Sequence, residues 1–66
     1  MTITINGAAR ALTAPMTIDE LLRELSLRRE LVAVELNRQL VRRPEFGNQV
    51  VTEGDSLEIV EFVGGG

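Results

Sequence analysis

The sequence predicts a small α+β domain in which one amphipathic helix packs on one face of a β-sheet. Segments in which apolar and polar residues alternate, as in half-buried strands, occupy both ends of the chain and its middle. A single segment near residue 20 has apolar residues at helical spacing behind a complete helix-start signal. Because a helix with one apolar stripe must bury it against one sheet face, we expect two layers.

The first element is a predicted β-hairpin. Thr2–Ile5 alternates with a period of two, and Asn6-Gly7 is the strongest short hairpin signal, because a type I′ turn needs positive φ at both central positions. A two-residue turn pairs Ile3 with Arg10, which places Arg10 on the core side. We expect the second strand to lie at a sheet edge, where an inward arginine reaches solvent. A register-shifting bulge is the competing interpretation.

The helix follows Pro15. Thr17 as N-cap and Glu20 at the third helical position form a capping box, and Arg28 and Arg29 lie near the expected far end. The apolar stripe consists of Ile18, Leu21, Leu22 and Leu25. Capping and solvent exposure account for the helix carboxylates Asp19, Glu20 and Glu24, so we expect no catalytic role for them.

A second hairpin is predicted after the helix. Residues 32–36 form a strand with an apolar face, Asn37-Arg38 forms the turn, and residues 39–41 form a short returning strand. Residues 42–48 are predicted to be a loop, because Pro44 biases Arg43 away from the helical region.

Two side-chain roles are predicted in that loop. We expect Phe46 to anchor it to the core. Arg42 and Arg43 are either a solvated doublet or a pair that contacts a partner, and the sequence leaves both open.

The last strand is predicted over residues 57–63, after a turn in which Gly54 supplies positive φ. Leu57 and Ile59 project to one face of this strand, whereas Glu58, Val60 and Phe62 project to the other. If the helix covers the first face, then Val60, Phe62 and Glu58 form an exposed partner-binding surface. The alternatives are a central strand that is apolar on both faces, or a Phe62 side chain that folds over the edge of the core.

Composition excludes several functions. A chain of 66 residues is one domain, and without Cys or His it has neither disulfides nor an ordinary zinc site. Without Lys and Tyr as well, it lacks the usual nucleophiles and bases, so we expect it not to be an enzyme. No signal peptide or membrane-length apolar run is present, which favours a cytoplasmic protein.

Charge is unevenly distributed. The net charge is −3, and residues 34–66 hold an excess of acids over arginines. This half contains the acids Glu35, Glu45, Glu53, Asp55, Glu58 and Glu61 and the arginines Arg38, Arg42 and Arg43. The excess argues against nucleic acid and for a basic surface on a protein partner, although a merely solubilising surface also explains it.

The sequence ends in three glycines, Gly64, Gly65 and Gly66. Without Cβ atoms they predict a slim, flexible tail of residues 64–66 behind a domain of residues 1–63. Three extended residues reach roughly 10 Å, enough to enter a narrow channel. The exposed α-carboxylate of Gly66 is then the accessible reactive group, with Gly64 and Gly65 threading the channel.

Four segments together carry a family resemblance. They are residues 3–7 (ITING), 17–22 (TIDELL), 32–37 (VAVELN) and 54–66 (GDSLEIVEFVGGG). Through them, and over essentially its whole length, the chain resembles the ThiS sulfur carriers of thiamine biosynthesis. The Gly-Gly end alone is shared with ubiquitin-like modifiers. A Gly-Asp turn before a strand that ends in three glycines is more specific.

The resemblance implies a ubiquitin-like β-grasp fold, with a mixed sheet of four to five strands on one main helix. It also implies a ThiF-like enzyme that spends ATP to adenylate the carboxylate of Gly66; the carrier itself binds no cofactor. Sulfur from a donor protein or persulfide then gives a thiocarboxylate, which a ThiG-like thiazole synthase consumes. Neither a nucleic acid nor a membrane is an expected partner.

Other assignments remain open at the level of sequence. The chain is alternatively a carrier for molybdopterin or another acceptor, or a modifier attached to target lysines through Gly66. A plain protein-binding module with a loose glycine tail is a third alternative.

Overall fold

The computed structural model of the protein describes residues 1–62, and it has one α-helix and seven strands in that range. The strands are β1 (Thr2–Ile5), β2 (Ala8–Ala11), β3 (Met16–Thr17), β4 (Val32–Leu36), β5 (Gln39–Val41), β6 (Val50–Val51) and β7 (Ser56–Glu61). Helix α1 spans Ile18–Glu24, and two 3₁₀-helices span Arg29–Leu31 and Arg43–Glu45. None of the helices in residues 1–62 has the length and apolarity needed to cross a membrane.

Five strands form one mixed sheet in the order β2-β1-β7-β4-β5. The first and last strands, β1 and β7, are parallel neighbours, and the other neighbouring pairs are antiparallel. Strand β7 therefore occupies the centre, as the β-grasp expectation requires. A separate ribbon of β3 and β6, which the sequence analysis did not predict, pairs Met16 with Val51 beside the start of the helix.

The first hairpin has the predicted turn and register. Asn6 and Gly7 have φ of 51° and 83°, and Ile3 pairs with Arg10. Strand β2 lies at the sheet edge, and the Arg10 side chain is exposed although it lies opposite the buried Ile3. The edge interpretation is confirmed, and the register continues to Met1 and Leu12 without a bulge, because each donates to the other's carbonyl.

Helix α1 begins with the predicted capping box. The Thr17 hydroxyl accepts from the Glu20 amide at 3.1 Å, and the Glu20 carboxylate accepts from the Thr17 amide at 2.8 Å. Ile18, Leu21 and Leu22 are fully buried in the core. The stripe that the sequence predicts is thus the face that packs on the sheet.

The helix ends earlier than predicted, at Glu24. Ser26 takes the left-handed conformation with φ of 60°. Its amide donates to the Arg23 carbonyl, and the Leu27 amide donates to the Leu22 carbonyl. These two bonds form a Schellman motif, in which serine occupies the position usually held by glycine. The expectation that Arg28 and Arg29 lie near the helix end is therefore wrong, because both follow the motif.

The second hairpin and the following loop complete the domain. Asn37 and Arg38 both have positive φ, as their predicted turn requires. Residues Arg43–Glu45 form a 3₁₀-helix, so the prediction that Pro44 keeps Arg43 out of a helical turn is wrong. The bias that proline exerts on the preceding residue is only a preference, and it is outweighed here by the bonds from the Glu45 amide to the Arg42 carbonyl and from Arg43 Nε to the Arg29 carbonyl. Phe46 is buried and anchors this segment as predicted.

One apolar core lies between the helix and the sheet. Its buried members are Ile3, Leu12, Ile18, Leu21, Leu22, Val32, Val34, Phe46, Val51, Leu57 and Ile59. The central strand contributes Leu57 and Ile59, so the helix covers one face of β7 and leaves the other open.

Candidate functional site

The candidate site is the open face of the central strand. Leu57 and Ile59 are 0% and 7% exposed, whereas Val60 and Phe62 on the opposite face are 56% and 51% exposed. Glu58 is exposed on the same face as Val60. The structure therefore brings together the three residues that the sequence predicts as a partner-binding surface.

Strand β7 is held firmly at the end that leads into residues 63–66. On one side, the Phe62 amide donates to the Leu31 carbonyl at 2.7 Å. On the other side β1 has already ended, and the Asn6 side chain takes the place of a neighbouring strand. Its amide donates to the Ile59 carbonyl at 3.0 Å, and its oxygen accepts from the Ile59 amide at 2.8 Å.

The strand register shows which residues share the open face. Ala33 pairs with Val60, and Glu35 pairs with Glu58. On the β1 side, Thr4 pairs with Ser56. Because paired residues project from the same face, these positions extend the open face of β7 across three strands.

Leu40 belongs to the same face, although the sequence analysis assigned it no role. It pairs with Glu35, and at 68% it is the most exposed of the large apolar side chains in residues 1–62. This position of Leu40 could have been predicted from the two-residue turn at Asn37 and Arg38. The turn fixes the register of the hairpin and so places Leu40 opposite Glu35. We define the docking face as Ala33, Glu35, Leu40, Glu58, Val60 and Phe62.

The Arg42-Arg43 doublet has two roles. Arg43 donates from Nε to the Arg29 carbonyl at 2.9 Å and from a terminal nitrogen to the Val32 carbonyl, so it stabilises the fold. Both arginines line a groove of about 390 Å³ that also includes Leu40 and Phe62. Both therefore border the docking face, and Arg43 also stabilises the fold.

Two of the helix carboxylates, those of Asp19 and Glu20, have structural partners, and Glu24 is exposed. Asp19 accepts from Nε of Arg29 at 2.9 Å, and the Arg29 guanidinium lies over the Phe46 ring. Hydrogen bonds from the Thr17 backbone and hydroxyl, helped by Arg23, hold the pKa of Glu20 below its ordinary value. Both residues lie in the first turn of the helix, where Glu20 caps the helix and Asp19 pairs with Arg29.

The predicted reactive residues Gly64, Gly65 and Gly66 lie outside the residues that the structure describes. Within residues 1–62, no group of three or more potential ligand side chains is arranged to hold a metal ion. The geometry available for function is therefore the docking face and the strand that leads from it towards Gly66.

Comparison with known proteins places this architecture in a family. Residues 3–66 match the ThiS family. The chain is 32% identical to the sulfur carrier protein ThiS of Escherichia coli K12 over 66 residues, which cover all of both chains. It also superposes on the crystal structure of the thiamine biosynthesis protein ThiS from Geobacter metallireducens with a TM-score of 0.86, 35% identity and full coverage of both chains.

A second group of relatives consists of much longer proteins. The chain is 44% identical to a thiazole synthase of Paramagnetospirillum magneticum over 66 residues, and 41% identical to one of Magnetococcus marinus. It spans only 20% of the length of each of them, but all of its own. With a whole-length match to a sulfur carrier and a near-complete match to the family, this chain belongs to the ThiS family.

Proposed function

We propose that this ThiS-family protein carries sulfur as a thiocarboxylate on Gly66 and delivers it for the thiazole ring of thiamine. The observation that supports this most strongly is the whole-length similarity to a sulfur carrier protein, combined with a diglycine end in the same sequence. The central strand β7 leads from the docking face directly to residues 63–66. The chain acts as a carrier, and partner enzymes supply the catalysis.

The proposed chemistry follows from the properties of a carboxylate. Its negative charge and poor leaving group make it resistant to nucleophiles, so an ATP-dependent, ThiF-like enzyme must activate it. A Gly66 oxygen attacks the α-phosphate of ATP and displaces pyrophosphate, which gives an acyl-adenylate. A sulfur nucleophile then attacks the carbonyl carbon, forms the C–S bond and expels AMP.

The docking face provides the proposed contact with these enzymes. Val60 in β7 and Phe62 just after its end are large, exposed apolar side chains, and Glu58 adds charge beside Val60. Exposed apolar clusters with a polar rim are typical of protein contact sites. We propose that both the activating enzyme and a ThiG-like thiazole synthase bind this face.

The length of chain beyond the face limits the geometry of both complexes. Gly66 is the fourth residue after Phe62, and four extended residues reach at most about 14 Å. A partner that binds Phe62 must therefore hold its reactive centre within that distance. Glycine at the last three positions removes every Cβ that a narrow channel would have to accommodate.

Sulfur loading in vitro tests the proposal. Purified chain is incubated with the ThiF-like enzyme of the same organism, ATP and sodium sulfide. The reaction is monitored by the release of pyrophosphate and by the intact mass of the protein. We expect a mass increase equal to one oxygen-to-sulfur exchange. Gly65→Val should abolish both signals because its side chain blocks the channel, without changing the thermal unfolding of the domain.

Ala14→Val is the matched control for that variant. Ala14 is exposed in the loop before Pro15, so the same residue is introduced far from the tail. This control should load like the parent chain. Normal loading of Gly65→Val would show that the tail does not thread a narrow channel, and a parent chain that never gains sulfur would overturn the proposed function.

A further inference from the structure

The docking face has an electrostatic feature of its own at its centre. Glu35 and Glu58 are directly opposed on β4 and β7, and both side chains are exposed. In an antiparallel pair, directly opposite residues project from the same face with Cβ atoms about 5 Å apart. The two carboxylates therefore stand side by side on the open face.

No ion pair within residues 1–62 includes either of these carboxylates. The salt bridges within residues 1–62 are those of Arg28 with Glu30 and of Arg29 with Asp19, both away from the docking face. Side-chain hydrogen bonds in the same range likewise include neither Glu35 nor Glu58. Since directly opposed like charges destabilise a sheet, the isolated domain bears an electrostatic cost at this position.

One exposed apolar side chain lies beside each of the two carboxylates. Leu40 pairs with Glu35 on one side, and Val60 follows Glu58 along β7 on the same face. A bound partner displaces water from such surroundings, which strengthens the attraction between these carboxylates and a cation. The same displacement makes binding unfavourable for a partner that brings no cation.

We propose that the docking face selects a thiazole-synthase surface on which an arginine guanidinium, set among apolar side chains, inserts between Glu35 and Glu58. A guanidinium fits because its planar fork donates to two carboxylates at once and it is weakly hydrated for a cation. Thiazole synthase is the chosen occupant because the two longest matched relatives, which contain a region like this chain, are thiazole synthases. The inference rests on the proposed function and adds the chemistry of the partner.

The proposal predicts two effects of opposite sign for the same substitution. Glu35→Gln and Glu58→Gln each remove the repulsion, so each should raise the Tm of the isolated chain by roughly 1–6 °C. Each should also weaken binding to thiazole synthase by about three- to tenfold, because a charge pair at the interface is lost. If Glu35 or Glu58 had only a structural role, its replacement by glutamine would not both stabilise the free chain and weaken the complex.

The experiment measures Kd by titration calorimetry with the thiazole synthase of the same organism, at low and at high salt. Glu24→Gln is the matched control, because it makes the same change in net charge on the exposed helix surface. This control should leave Kd unchanged. Binding of the parent chain should weaken with salt, and the Glu35→Gln/Glu58→Gln double variant should lose most of that dependence.

The outcomes separate this inference from the proposed function. If Val60→Ser weakens binding while both glutamine variants bind like the parent chain, the docking face stands and the guanidinium contact is wrong. If the parent chain loads sulfur but does not bind thiazole synthase, the chosen occupant is wrong and the sulfur chemistry stands. Opposite shifts in Tm and affinity for both glutamine variants, with an unaffected Glu24→Gln, support the inference.

Discussion

The two faces of strand β7 differ in what their apolar side chains do. Leu57 and Ile59 lie beneath the helix in the core, and Val60 and Phe62, only one to five positions away, are more than half exposed. Both sets are apolar, so hydrophobicity does not distinguish the folding role from the proposed docking role. The register of the sheet and the position of the single helix make that distinction. Substitutions on the buried face should therefore lower stability, and those on the open face should weaken the proposed binding of partners.

The largest effect is expected on the buried face. Leu57→Ala removes a fully buried side chain from the central strand, and such changes cost about 2–5 kcal/mol. A 66-residue domain has a total stability of roughly 3–10 kcal/mol, so much of the folded population should be lost. Urea denaturation measures the change, with Val60→Ala on the opposite face as the control, which should stay within about 0.5 kcal/mol. If Leu57→Ala and Val60→Ala lose the same free energy of unfolding, the two faces of β7 do not differ in their contribution to stability.

An intermediate effect is expected on the open face. Val60→Ser should leave the free energy of unfolding nearly unchanged, but it should raise the KM of the activating enzyme for the carrier about tenfold, because a central contact is lost. Val50→Ser is a matched control, since Val50 is similarly exposed at 48% but lies on β6, outside the docking face. Pyrophosphate release at varied carrier concentration gives KM. If both variants behave alike, the docking face has been placed wrongly.

The smallest effect is expected at the helix start, which belongs to neither face. The pKa of Glu20 is lowered from 4.5 by its bonds to Thr17, so its stabilising contribution is fully present above pH 4.5 and is lost as pH falls through the lowered pKa. Glu20→Gln should reduce this acid dependence, because a neutral amide still caps the helix. Thermal unfolding between pH 3 and 7 measures it, and sulfur loading at neutral pH should be unchanged. If the pH dependence of thermal unfolding is the same for Glu20→Gln as for the parent chain, Glu20 does not cause it.

Local sequence signals predicted most of the fold. The Asn6-Gly7 turn, the Thr17 and Glu20 capping box, and the positive φ at Gly54 each depend on a few adjacent residues, and the structure confirms all of them. The division of β7 into a core face and an open face followed from alternation and from the presence of one amphipathic helix.

The features that the sequence analysis missed depend on contacts between distant segments. Ser26 ends the helix in a left-handed conformation, which serine rarely adopts and therefore does not signal. Arg43 binds carbonyls of Arg29 and Val32, more than ten residues away, so its role cannot be inferred from its neighbours in sequence. The same holds for the β3–β6 ribbon, in which two short segments pair across the domain.

The central claim is that sulfur resides on the main-chain carboxyl group of Gly66. The most direct test is fragmentation mass spectrometry of the C-terminal peptide, isolated after loading with the ThiF-like enzyme, ATP and sulfide. We predict that the oxygen-to-sulfur exchange is confined to fragments that contain Gly66. An exchange found in any fragment that lacks Gly66, or a loaded protein whose C-terminal peptide keeps the mass of the unmodified carboxylate, would contradict it.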